Sequence, residues 1–80
     1  MYVNLDTDPG DAGKIYTITL MKNGEAATPT LQAICDGVQT CNASAEVGVA
    51  NDDLMSTEIA PTNTPATGQF ATISYTAYVP

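Results

Sequence analysis

Cys35 and Cys41 are the two side chains of this 80-residue chain whose type and spacing most clearly permit chemistry. Asp36-Gly37-Val38-Gln39-Thr40 lies between them, and a hairpin turn within that stretch would let the thiols meet. Closing so short a loop stabilises a fold by about 2–3 kcal/mol in the chain-entropy model. The alternatives are two free thiols or a pair of metal ligands, and two ligands are too few for a structural zinc site. A disulfide needs an oxidising setting. A particle assembled in a reducing compartment and then released would meet one.

The carboxylates come next. Asp6, Asp8 and Asp11 alternate around Gly10 as acids do in calcium loops, but the later glutamate and the flanking helices of such a site are missing. The expected state is a solvated acidic loop. Asn51, Asp52 and Asp53 are ordinary turn formers. Gly10-Asp11-Ala12-Gly13-Lys14 ends like a phosphate-binding loop, which also needs glycine where Asp8 stands and Ser or Thr where Ile15 stands. Asn42-Ala43-Ser44 matches the N-glycosylation pattern, which matters only on a eukaryotic secretory route. Histidine is absent, so no Ser–His or Cys–His nucleophile can be built. The chain is expected not to be an enzyme and to use no cofactor or metal.

The formal charge is −7, with Lys14 and Lys22 as the only cations. Nucleic acids and anionic membrane surfaces both require clustered Lys and Arg, so neither is an expected partner. No run approaches the roughly 18 apolar residues of a membrane span. Residues 1–6 lack the basic start and apolar run of a secretory signal. Export would then use another route, or a signal that is removed or lies outside this stretch.

The elements that position these residues are expected to be strands. β-Branched residues and tyrosine are frequent, and turn signals recur every 8–12 residues or so, as in sandwiches and barrels. Residues 2–7 alternate, with Tyr2 and Asn4 on one face and Val3 and Leu5 on the other. Residues 8–13 break into a loop. Residues 14–22 form the clearest strand, with Tyr16, Ile18 and Leu20 opposed to Thr17, Thr19 and Met21. Asn23-Gly24 then signals a tight hairpin. Further strands are expected over 30–35, 38–41, 46–50, 54–60 and 70–79. The segment 61–68 has no apolar anchor and is expected at the surface. One domain spans residues 1–80, with seven or eight short antiparallel strands in a β-sandwich of jelly-roll type. A core this small usually needs a disulfide, a metal or partner subunits.

The run from Pro9-Gly10 through Gly13-Lys14 into Tyr16-Thr17-Ile18-Thr19-Leu20-Met21-Lys22-Asn23-Gly24 resembles small jelly-roll modules of phage virion proteins. These occur as capsid decoration proteins and in tail fibres, and the C1q/TNF-like heads of bacterial collagen-like proteins are similar to them. Ile34-Cys35-Asp36-Gly37, residues 47–56 and the Pro-rich 61–67 extend the resemblance over nearly the whole chain. The Pro-Gly to Gly-Lys spacing is one residue longer here, and Asn51-Asp52 stands in place of a glycine turn.

The resemblance implies a virion structural protein, a capsid decoration or cement subunit at the virion surface. Its implied partners are a major capsid or tail protein and further copies of itself, with a trimer preferred. The first strand could pair within its own sheet or add to a neighbour's edge, which makes Tyr2 and Asn4 candidate interface residues. Tyr78 joins them because tyrosines combine an apolar ring with a polar tip, while Tyr75 suits the core. The alternative is a receptor- or glycan-binding tip of a tail fibre or a bacterial surface adhesin, extracellular or at the cell surface. Its recognition would then fall to loops carrying Asp8, Pro9, Gly10, Asp11, Asn63 and Thr64.

Overall fold

The computed structural model describes residues 1–76 and Val79, and among them there is no helix. Seven strands run in the order β1 (Tyr2–Leu5), β2 (Ile15–Lys22), β3 (Glu25–Ala26), β4 (Gln32–Asp36), β5 (Thr40–Asn42), β6 (Met55–Thr62) and β7 (Ala71–Ser74). Every pairing is antiparallel, and the strands form two sheets. In the first sheet β1 lies between β5 and β7. In the second, β2 pairs along its whole length with β6, while β4 and β3 follow each other along its opposite flank.

The alternation read along β1 and β2 decides which side chains meet. Val3 and Leu5 are buried while Tyr2 and Asn4 are exposed. Ile18 and Leu20 of β2 are buried, and Val3, Leu5, Ile18, Ala33 and Cys35 close into one cluster between the sheets. A second cluster joins Leu20, Ala27, Leu31 and Val47 toward the other end. Thr19 points away from that core yet is also buried. Its hydroxyl accepts a hydrogen bond of 2.9 Å from the Gln32 side chain, which meets the polar group's need for a partner.

Asn23 and Gly24 have φ of 55° and 84°. Two successive positive φ values match the twist of flanking strands, and the β2–β3 hairpin closes there with Lys22 opposite Glu25. Asn51-Asp52 is likewise a turn.

Five expectations change. Cys35 and Cys41 are bonded, but not across a hairpin. β4 belongs to one sheet and β5 to the other, so the disulfide staples the two sheets along one side. The chain passes between them at Gly37, whose φ is 63° and where a Cβ would lie 2.9 Å from the Ala12 backbone nitrogen. Residues 46–50 form no strand beyond an isolated bridge at Gly48, although Val47 is buried. Two apolar residues at alternate positions are satisfied equally well by a packed loop.

Pro61 and Thr62 belong to β6. Proline lacks a backbone donor, but an edge strand tolerates it, and β6 is an edge. Pro65 in the following loop is buried, so that loop does have an apolar anchor. Finally, β1 is hydrogen-bonded on both flanks and has no free edge to lend to a neighbour. The last strand is shorter than the expected 70–79, and Tyr78 lies outside the described residues.

Candidate functional site

Three features of this frame are candidate sites. The first is a pole where the loops 8–13 and 61–68 meet. Ala66 N–H donates to the Pro9 carbonyl at 2.7 Å. The Asn63 side chain donates to the Gly13 carbonyl at 2.9 Å, and Gly13 N–H donates to Asp36 Oδ1 at 2.6 Å. The Tyr16 hydroxyl donates to the Ala66 carbonyl.

The candidate recognition residues Asp8, Gly10, Asp11, Asn63 and Thr64 are exposed together at this pole. Pro9 is not available for recognition, being fully buried; it anchors its loop. Asn63 and Thr64 hold φ of 59° and 49°, a strained conformation for a β-branched residue such as Thr64. Among the described residues, no three His, Cys, Asp or Glu side chains gather as a metal-binding group.

The second feature is the side of the sandwich opposite the staple. The edge strands β6 and β7 flank it, and a cleft of about 190 Å³ opens there, lined by Leu5, Tyr16, Ile59, Gln69, Phe70 and Ala71. Phe70 is 84% exposed and Ile59 is 46% exposed. The Phe70 carbonyl accepts from Asp6 N–H at 3.0 Å. In an antiparallel pair such bonds fall on alternate residues. The main-chain groups of Ala71 and Ile73 therefore point to the free edge of β7. No residue from 59 to 80 is charged, so all of the acidity lies elsewhere. Edge strands usually carry charge or proline against unwanted pairing; β6 has Glu58 and Pro61, whereas β7 has neither. Phe70 and Ile59 were read in the sequence only as strand residues. The uncharged carboxyl-terminal run is the signal that could have singled them out.

The third feature is a clasp. Asp53 accepts from the Ala50 N–H at 2.7 Å and from the Asn23 side chain at 3.0 Å, and pairs with Lys22 Nζ at 3.3 Å. Lys22 also donates to the Gly48 carbonyl at 2.8 Å, and Asn23 Oδ1 accepts from Leu54 N–H at 2.9 Å. The clasp ties the segment 48–54 to the β2–β3 turn. The Ala50 backbone bond, then the Asn23 bond and the Lys22 charge, hold the Asp53 carboxyl below its ordinary value of 3.8.

A depressed carboxyl stabilises the fold above its unfolded pKa, and that contribution is lost as pH falls through the folded value. Asp53→Asn is therefore expected to lower the thermal midpoint near neutral pH. The gap to the wild type should shrink as pH drops below 3.8, as read by circular dichroism. A gap that is constant with pH would mean the carboxylate charge contributes nothing.

Taken together, fold and surface define a small, acidic, disulfide-stapled all-β chain. Comparison with protein-family models, curated proteins and solved structures finds no match.

Proposed function

We propose that this chain is a virion structural protein, a capsid decoration subunit that joins neighbouring subunits through its open β6–β7 side. The observation that carries this reading is the exposed pair Phe70 and Ile59 beside the free β7 edge. Exposed aromatics are enriched at interface centres, and residues 59–80 of this chain of charge −7 carry no charged side chain. The free β7 edge offers main-chain bonds to an added strand. A trimer on the particle surface is the preferred state.

The strand pairing supports a jelly-roll frame for this module. The first strand pairs with the last, and the second with the last but one, as in a wound double strand, whereas β4 and β5 lie in separate sheets. The disulfide suits a protein that works outside a reducing compartment.

Phe70→Asp tests the proposal. An exposed side chain can be changed at little cost to the fold, whereas burying a phenylalanine is worth about 1.5–3 kcal/mol. Co-sedimentation with empty phage capsids is expected to weaken roughly ten- to hundredfold. A wild-type chain that remains monomeric and binds neither capsids nor bacterial envelopes would remove the proposal. The loop pole favours a second reading, a receptor-binding tip, because it gathers five exposed candidate residues, the strained Thr64 among them. Binding to envelopes but not capsids, with Phe70→Asp unaffected, would select it.

A further inference from the structure

A broad concavity lies at the pole away from those loops, where β1 begins and β5 and β7 end. It is an open groove of about 510 Å³, within the range of roughly 300–1,000 Å³ that holds small ligands. Its walls follow from strand register. Tyr2 stands opposite Asn42 on one side and Ser74 on the other, which places three exposed side chains in a line across the sheet. Ser44 and Thr76 extend the line beyond the strand ends, and Tyr75 closes the groove. Tyr2 is 49% exposed and Tyr75 is 40% exposed, so the expectation that Tyr75 sits in the core does not hold.

Among the described residues its lining holds no carboxylate, and its one charged group is the Met1 α-ammonium, which donates to the Ala43 carbonyl at 2.7 Å. Beside the apolar Met1, Leu31, Ala43 and Ala45, the groove offers two aromatic rings and a set of neutral hydroxyl and amide groups. The face of an aromatic ring is electronegative, and the apolar face of a pyranose presents C–H hydrogens that suit it. The hydroxyls of Ser44, Ser74 and Thr76 and the amide of Asn42 both donate and accept, which matches sugar hydroxyls. Tyrosine with serine and asparagine is also the combination that gives adaptable recognition surfaces.

We propose that this groove binds a neutral saccharide, with Tyr2 and Tyr75 as the stacking surfaces and Asn42, Ser44, Ser74 and Thr76 as hydroxyl partners. The site rests neither on the capsid reading nor on the loop pole. A decoration subunit bearing it would carry a carbohydrate-binding surface on the particle.

The test is titration of the ¹⁵N-labelled chain, followed by NMR, with neutral methyl glycosides and neutral oligosaccharides. Sialyllactose and a heparin fragment serve as anionic probes. At least one neutral saccharide is expected to shift the amides of Tyr2, Asn42, Ser44 and Ser74. Tyr2→Ala and Tyr75→Ala should each weaken that binding at least tenfold, with the rest of the spectrum unchanged. Tyr2→Phe should retain most of it, because the ring remains. If a tyrosine variant fails to fold, Ser74→Ala and Asn42→Ala read the same site from the sheet, with a several-fold loss expected. The proposal is overturned if no neutral saccharide shifts these amides. It is equally overturned if the shifts map to residues 8–13 and 61–68, or if the anionic probes bind more tightly than the neutral ones.

Discussion

Replacing Cys35 and Cys41 together by alanine is expected to lower the unfolding free energy by about 2–5 kcal/mol, the usual effect of removing a native disulfide from a small domain. At roughly 0.05–0.15 kcal/mol per residue, a domain of this size holds only about 4–12 kcal/mol in all. The loss is therefore a large fraction of the total. The loop closed by the bond is short, and loop entropy alone gives about 2–3 kcal/mol. The position adds to this. Cys35 is fully buried in the cluster between the sheets, and Cys41 packs against that cluster. The bond thus holds β4 of one sheet to β5 of the other, where no main-chain ladder joins them.

Alanine is the better replacement, since serine would place a hydroxyl in an apolar site at added cost. Urea unfolding of the wild type, with and without reductant, should reproduce the shift of the double variant. Equal midpoints for all three would show that the bond contributes nothing.

Ile18→Ala should be the most damaging single truncation, at about 2–5 kcal/mol. Ile18 lies at the middle of β2 and is fully buried. It stands opposite Ala33 on one flank and Ile59 on the other. Its neighbours Val3 and Leu5 come from the facing sheet, so a cavity there opens the contact between sheets as well as the packing within one. The informative control is Ile34→Ala. Ile34 is 52% exposed, on the strand next to β2, and its truncation should stay within about 0.5 kcal/mol. Denaturation midpoints of the two variants should differ by most of the Ile18 effect. Equal shifts would mean that the two-sheet core is misassigned.

The two sides of the sandwich differ. Cys35–Cys41 closes one side, and the β6–β7 side is left open with Ile59 and Phe70 showing. A staple on one side allows the other to remain unsealed without the sheets parting.

Local chemistry made much of this protein legible from its residues. The alternation of Val3 and Leu5 against Tyr2 and Asn4 reports burial directly, because successive strand side chains face opposite ways. Asn23-Gly24 reports its turn because both residues accept positive φ. The spacing of Cys35 and Cys41 permits a bond, and six of the seven expected strands have counterparts, whereas β3 stands where none was expected. Partner choice is different, since it depends on which distant segments pack together. Only the tertiary structure put β4 and β5 in separate sheets, which turned a presumed hairpin bridge into a staple.

The same kind of decision placed β1 between two partners, drew Pro65 inward, and kept residues 46–50 a loop despite Val47. It also brought Tyr2, Asn42 and Ser74, far apart in the chain, into one line beside Tyr75. Period and turn chemistry act between neighbours in sequence, so sequence patterns carry them. Register, edges and grooves arise where the two sheets meet, and no short pattern in the chain encodes that meeting.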